Sequence, residues 1–121
     1  MEIALPLEII KEIEVDASAE EVWRFLSDRD ELAGWVGDEV RRADVDQLDD
    51  ARRLAWTWAP DGVETAVEVE LIEVGDRTRV RVVERGSLAP ARACSVGDAW
   101  DDRLFGLEVR CLADRLSVLA R

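Results

Sequence analysis

Apolar and polar positions alternate from about Glu8 to Val15, with Ile9, Ile13 and Val15 on one face and Lys11 interrupting the row, which predicts a first strand. Asp16-Ala17 ends it, and Ser18 opens a helix. Glu21, three residues on, completes a capping box: the serine hydroxyl accepts from the Glu21 amide while the carboxylate reaches back. Val22, Phe25 and Leu26 give this helix its buried stripe, with Trp23 on its flank. Asp28 and Glu31 repeat the arrangement for a second short helix predicted to end near Gly34, with Trp35, Val36 and Gly37 as the turn out. The stretch Asp38 to Ala51 reads as a solvated loop with one weak strand, because Asp44, Asp46, Asp49 and Asp50 dilute Val40 and Val45. Those aspartates lack the glycine-hinged spacing and distal glutamate of a calcium loop, so no metal site is expected.

From Arg53 the pattern sharpens. Leu54, Trp56 and Trp58 alternate with Ala55, Thr57 and Ala59, and Pro60-Asp61-Gly62 is a turn by its residue chemistry. Thr65, Val67, Val69 and Leu71 carry the apolar face onto a second strand. A two-residue turn at Gly75-Asp76 leads to a third, with Thr78, Val80 and Val82 inward. That turn pairs Val74 with Arg77, Leu71 with Val80, Val69 with Val82 and Glu70 with Arg81. A slip of one residue would destroy both the apolar match and the charge match, so the register is well specified. Across the earlier turn, Leu54 meets Val69, Trp56 meets Val67 and Trp58 meets Thr65. The same ladder sets Glu84 opposite Val67, on the inward side.

An irregular Ser-Leu-Ala-Pro segment follows Gly86, and a long helix is predicted from about Asp98 to Ala120. Trp100, Leu104, Leu107, Cys111 and Val118 form one stripe on it. Phe105, Val109, Leu112, Leu116 and Leu119 form a second, about 100° or more away. One stripe covers the sheet. The other, larger than a monomer normally exposes, packs on the first helices or makes an isologous homodimer contact through Phe105, Leu112, Leu116 and Leu119. Glu108 and Arg115 fall between the stripes and read as rim charges. Cys111 reads as a packed thiol, with no basic partner to activate it.

The chain has 121 residues, one domain's worth over 1–121, and is 48% hydrophobic and 36% charged. Sixteen basic against 28 acidic residues leave a formal charge of −12, a field that repels nucleic acid and anionic membranes. No stretch is long and apolar enough for a membrane helix. The first ten residues lack the basic start of a signal peptide, and two unpatterned cysteines suggest no disulfide framework, so a cytoplasmic protein is expected. Histidine and tyrosine are both absent. That removes imidazole-based triads and metal sites, leaving carboxylate, arginine, tryptophan and thiol chemistry.

Ile13-Glu14-Val15-Asp16-Ala17-Ser18-Ala19-Glu20-Glu21-Val22-Trp23, Leu26-Ser27-Asp28, Leu32-Ala33-Gly34-Trp35-Val36-Gly37, Arg53-Leu54-Ala55-Trp56-Thr57-Trp58, Thr78 to Gly86 and the Trp100, Leu104, Leu107 spacing occur in that order over most of the chain. The ordered set resembles the START-like (SRPBCC) superfamily, in the branch similar to the C-terminal domain of the Hsp90 ATPase activator. The resemblance implies an α+β helix-grip fold, a curved antiparallel sheet wrapped around a long C-terminal helix. It also implies a cavity between them for hydrophobic small molecules, sometimes used to cyclise polyketides, with no universal catalytic residue and no cofactor. Only residues 38–52 are available where relatives place two or more strands, so the sheet is expected to be truncated, with one strand or a short pair there.

Under this reading Trp35, Leu54, Trp56, Trp58, Val67, Val82, Glu84, Trp100 and Leu104 are the candidate ligand-binding residues. Indoles leave gaps and supply N–H donors, which suits an apolar pocket with a few polar anchors. The competing reading is that the tryptophans simply fill a small core. Glu84 could orient a ligand hydroxyl or ketone, or act as the acid of a cofactor-free cyclase or dehydratase. A strand-end position that reaches solvent, or an arginine partner, would instead make it ordinary. A co-chaperone-like interaction module without a pocket is the remaining alternative.

Overall fold

A computed structural model of the chain describes residues 3–119, without the side chains of residues 118 and 119. Strand β1 (Leu5–Val15) leads into helices α1 (Ala19–Ser27) and α2 (Arg29–Val36), then a 3-10 turn at Asp38–Arg42. Strands β2 (Asp46–Leu48), β3 (Arg53–Trp58), β4 (Thr65–Val74) and β5 (Arg77–Leu88) follow, and α3 (Pro90–Leu119) closes the chain. The strands form one antiparallel sheet in the order β1-β5-β4-β3-β2. The long β4–β5 hairpin lies at its middle, and β1 pairs with β5 along its outer side.

Local chemistry sets these boundaries. Ser18 and Glu21 form both halves of the expected capping box on α1. Asp28 caps α2 through the Glu31 amide. That helix runs two residues past the expected end at Gly34, so Trp35 and Val36 are helical and buried, and Gly37 at φ 123° turns the chain out. Segment 38–52 holds the 3-10 turn, which buries Val40, and a single three-residue edge strand.

The predicted register is the observed one. Leu71 pairs with Val80, Val69 with Val82, Glu70 with Arg81, and Glu84 with Val67. Leu54 pairs with Val69, Trp56 with Val67, and Trp58 with Thr65. Strand β5 continues to Leu88 where an irregular segment was expected, because β1 extends back to Leu5 and pairs with all of it. Gly86 makes this possible: a Cβ there would stand 2.7 Å from Thr65 Cγ2 on the neighbouring strand.

Helix α3 begins at Pro90, eight residues before its expected start. Proline suits a first turn, where its missing N–H is no loss. Trp100, Leu104, Leu107 and Cys111 face the sheet and are buried, and each of the larger chains among them stabilises the fold by roughly 1.5–3 kcal/mol. The opposite stripe is uncovered: Phe105, Val109, Leu112 and Leu116 are 63, 47, 56 and 57% exposed. The Leu119 side chain lies outside the described residues.

Candidate functional site

The inward face of the β3–β4–β5 ladder brings a row of indoles against α3. Trp56 and Trp58 meet edge to face at 5.6 Å between centroids. Trp58 lies 6.3 Å from Trp100, and Trp100 lies 6.4 Å from Trp35. Leu54, Val67, Val82 and Leu104 fill the space around them, each 2% exposed or less. Trp35 donates its indole N–H to the Phe25 carbonyl at 2.9 Å, which ties α2 to α1. All nine residues expected at the site are therefore brought to one place. They are packed against one another, with the four rings in mutual contact as a continuous chain.

Glu84 is buried within this row, 3% exposed. One carboxylate oxygen accepts from the Trp100 indole at 2.6 Å. The other accepts from the Trp58 indole at 3.1 Å and from the Thr65 hydroxyl. Strand β5 supplies the acceptor, β3 and β4 supply one donor each, and α3 supplies the third. A carboxylate can accept about four hydrogen bonds, so this one retains capacity for one more. The Trp56 indole N–H is buried with no partner among the described residues.

Arg103, one turn after Trp100, lays its guanidinium over two of the same rings, 4.7 Å from the Trp100 centroid and 5.4 Å from that of Trp58. It makes no hydrogen bond or ion pair among the described residues. Burial holds its pKa below the ordinary arginine value, and the Glu84 carboxylate acts in the opposite sense. Nothing in the spacing of Arg103 marked it beforehand. Its position three residues after an inward tryptophan, on the flank of the stripe, is the only signal the sequence carries.

Two clefts adjoin the packed row at Trp58. On one side a cleft of about 100 Å³ is lined by Trp58, Pro60, Glu84, Arg92, Val96 and Arg103, among others. On the other a cleft of about 180 Å³ is lined by Glu39, Arg42, Ala43, Trp58 and Pro60, with Thr57 and Ala59. Glu84 and Arg103 thus both line the first cleft. Cys111 lies apart, buried on α3, with its thiol pushed up to about 12 chiefly by that burial. Glu108 is half-buried, and Arg115 reaches Asp16, donating to its carbonyl at 2.6 Å.

No protein-family model matches the chain, and no curated protein matches it in sequence. Solved structures do. CalU16 from Micromonospora echinospora superposes with a TM-score of 0.72 at 22% identity, over 93% of this chain and 81% of that one. The Aha1 dimer from Colwellia psychrerythraea gives 0.69 at 18% identity, over 84% and 93%. The fold is the START-like helix grip. DynU16, a protein of the dynemicin biosynthetic locus, shares it at a TM-score of 0.70 and 20% identity, and this chain spans 45% of its length. In this helix grip the sheet-to-helix interior is occupied by the indole row, and two clefts adjoin it at Trp58.

Proposed function

We propose that the protein binds a small aromatic molecule beside Trp58, in the cleft lined by Glu84 and Arg103. The observation that carries this reading is the buried Glu84 carboxylate. Burying a carboxylate costs several kcal/mol before its hydrogen bonds are counted, and an aliphatic side chain would fill the same place without that cost. Three donors from three elements hold it, yet one acceptor position remains beside open space. A ligand hydroxyl or N–H fits that position. The guanidinium of Arg103, which has no hydrogen-bond or ion-pair partner among the described residues, fits an acceptor or anionic group on the same ligand.

Size narrows the guest further. Sites for drug-sized ligands run to about 300–1,000 Å³, whereas a cavity of about 150 Å³ takes benzene. The two clefts at Trp58, about 100 and 180 Å³, lie well below the drug-sized range, so the guest is no larger than a single ring, with only part of it seated in the Glu84–Arg103 cleft. Native mass spectrometry of the protein purified from its own cells tests this. A co-purified mass of one-ring size, lost in Glu84→Gln and Arg103→Ala, is expected. Ligand-free protein that also ignores phenol, indole and 4-hydroxybenzoate would refute it. The uncovered outer face of α3, with Phe105, Leu112 and Leu116, is read as a surface for association.

A further inference from the structure

The outer stripe of α3 steps by four, three and four residues, through Phe105, Val109, Leu112 and Leu116. Alternating steps of four and three are those of a seam between paired helices. All four side chains are exposed, so within the described chain this seam has no cover. Its two edges differ. Glu108 and Arg115 lie along one, Gly106 and Ala113 along the other.

We infer that this seam pairs antiparallel with the same seam of a second copy, Val109 against the partner's Leu112 and Phe105 against the partner's Leu116. The inference rests on reading the outer face of α3 as an association surface. Charge chooses both the occupant and the direction. In that register Glu108 stands level with the partner's Ala113. Helical side chains lean toward their own N-terminus, so the Glu108 carboxylate converges with the guanidinium of the partner's Arg115. The two-fold axis repeats the pair on the other half, which makes the patch self-complementary as an isologous contact requires. A parallel pairing sets Glu108 against Ala113 instead and leaves both charges without partners. Along the other edge, Gly106 faces the partner's Ala113, and these small residues let the helices approach. Arg115 is bonded to Asp16 but its side chain keeps 49% exposure, and a guanidinium has five donors to share. Four seam residues per copy bury less than the roughly 1,200 Å² of a standard interface, and a charge of −12 opposes association, so the dimer is weak.

Sedimentation equilibrium of the full chain, from micromolar to millimolar concentration, tests the inference. Wild type is expected to dimerise and Leu112→Glu to abolish it. Glu108→Arg and Arg115→Glu should each weaken it about fivefold by setting like charges together, and the double reversal should restore it. Circular dichroism confirms that each variant is folded. Wild type monomeric throughout, or single reversals that weaken the dimer with a double reversal that fails to restore it, overturns the inference. Loss on Leu112→Glu with silent charge reversals overturns the register alone, whereas a dimer that survives Leu112→Glu also refutes the reading of this face.

Discussion

Replacing Glu84 with glutamine keeps the shape of the side chain and reverses the character of one of its two oxygens. The carboxylate accepts from Trp58 and Thr65 on one oxygen and from Trp100 on the other. The amide does best with its carbonyl where two donors converge. Its NH2 group then faces the Trp100 indole N–H, and that buried donor is left without an acceptor. An orphaned buried donor costs about 1–3 kcal/mol, partly offset because a neutral amide is cheaper to bury than a carboxylate. A net destabilisation of about 2 kcal/mol is expected for Glu84→Gln. Trp100→Phe removes the orphaned donor, at its own cost of roughly 2–3 kcal/mol for the lost ring volume. In the double variant the two losses should therefore fall short of their sum by about 1–2 kcal/mol. Urea denaturation followed by far-UV circular dichroism measures all four corners of the cycle. Additivity within about 0.5 kcal/mol, or a glutamine variant as stable as wild type, would refute the three-donor account of Glu84.

Further outcomes follow from single contacts. Gly86→Ala should destabilise the protein by about 1–3 kcal/mol, since the new methyl meets Thr65 Cγ2, and adding Thr65→Ser should recover part of that in the same melt. Ser18→Ala should cost about 1 kcal/mol through the lost cap of α1, read as a lower midpoint in urea. Native protein should show one rapidly modified thiol, the exposed Cys94, with a disulfide reagent at neutral to mildly alkaline pH. Cys111, whose thiol is raised to about 12, forms almost no thiolate below pH 9 and should react only as the chain unfolds. Two fast thiols would contradict that placement.

The central ladder was legible because three signals agreed at once: the alternation in β3, β4 and β5, the Gly75-Asp76 turn and the Glu70–Arg81 pair. The capping pairs at Ser18 and Asp28 located α1 and α2 for the same reason. Boundaries failed where long-range pairing overrode local chemistry. Gly86 and Ser87 look like loop residues, and only β1 across from them keeps them extended. Pro90 was read as part of a loop although it is equally a helix opener. The turn between β2 and β3 carries Asp49, Asp50 and Ala51 in the left-handed region with no glycine to announce it. At the site, the ladder placed Glu84 inward, but its donors come from three other elements, β3, β4 and α3. The Trp100 bond depends on where α3 docks, which periodicity does not specify. Arg103 was missed because its role arises from two ring faces that meet only in the folded chain.

Indole N–H resonances of Trp58 and Trp100 report directly on the Glu84 carboxylate, since both donate to it. Titrating 15N-labelled protein with phenol, indole and 4-hydroxybenzoate should move these two signals together and saturate for at least one ring, while that of Trp35, bonded to the Phe25 carbonyl, stays in place. Two signals that stay fixed for every ring, in a protein that carries no co-purified guest, would contradict the account.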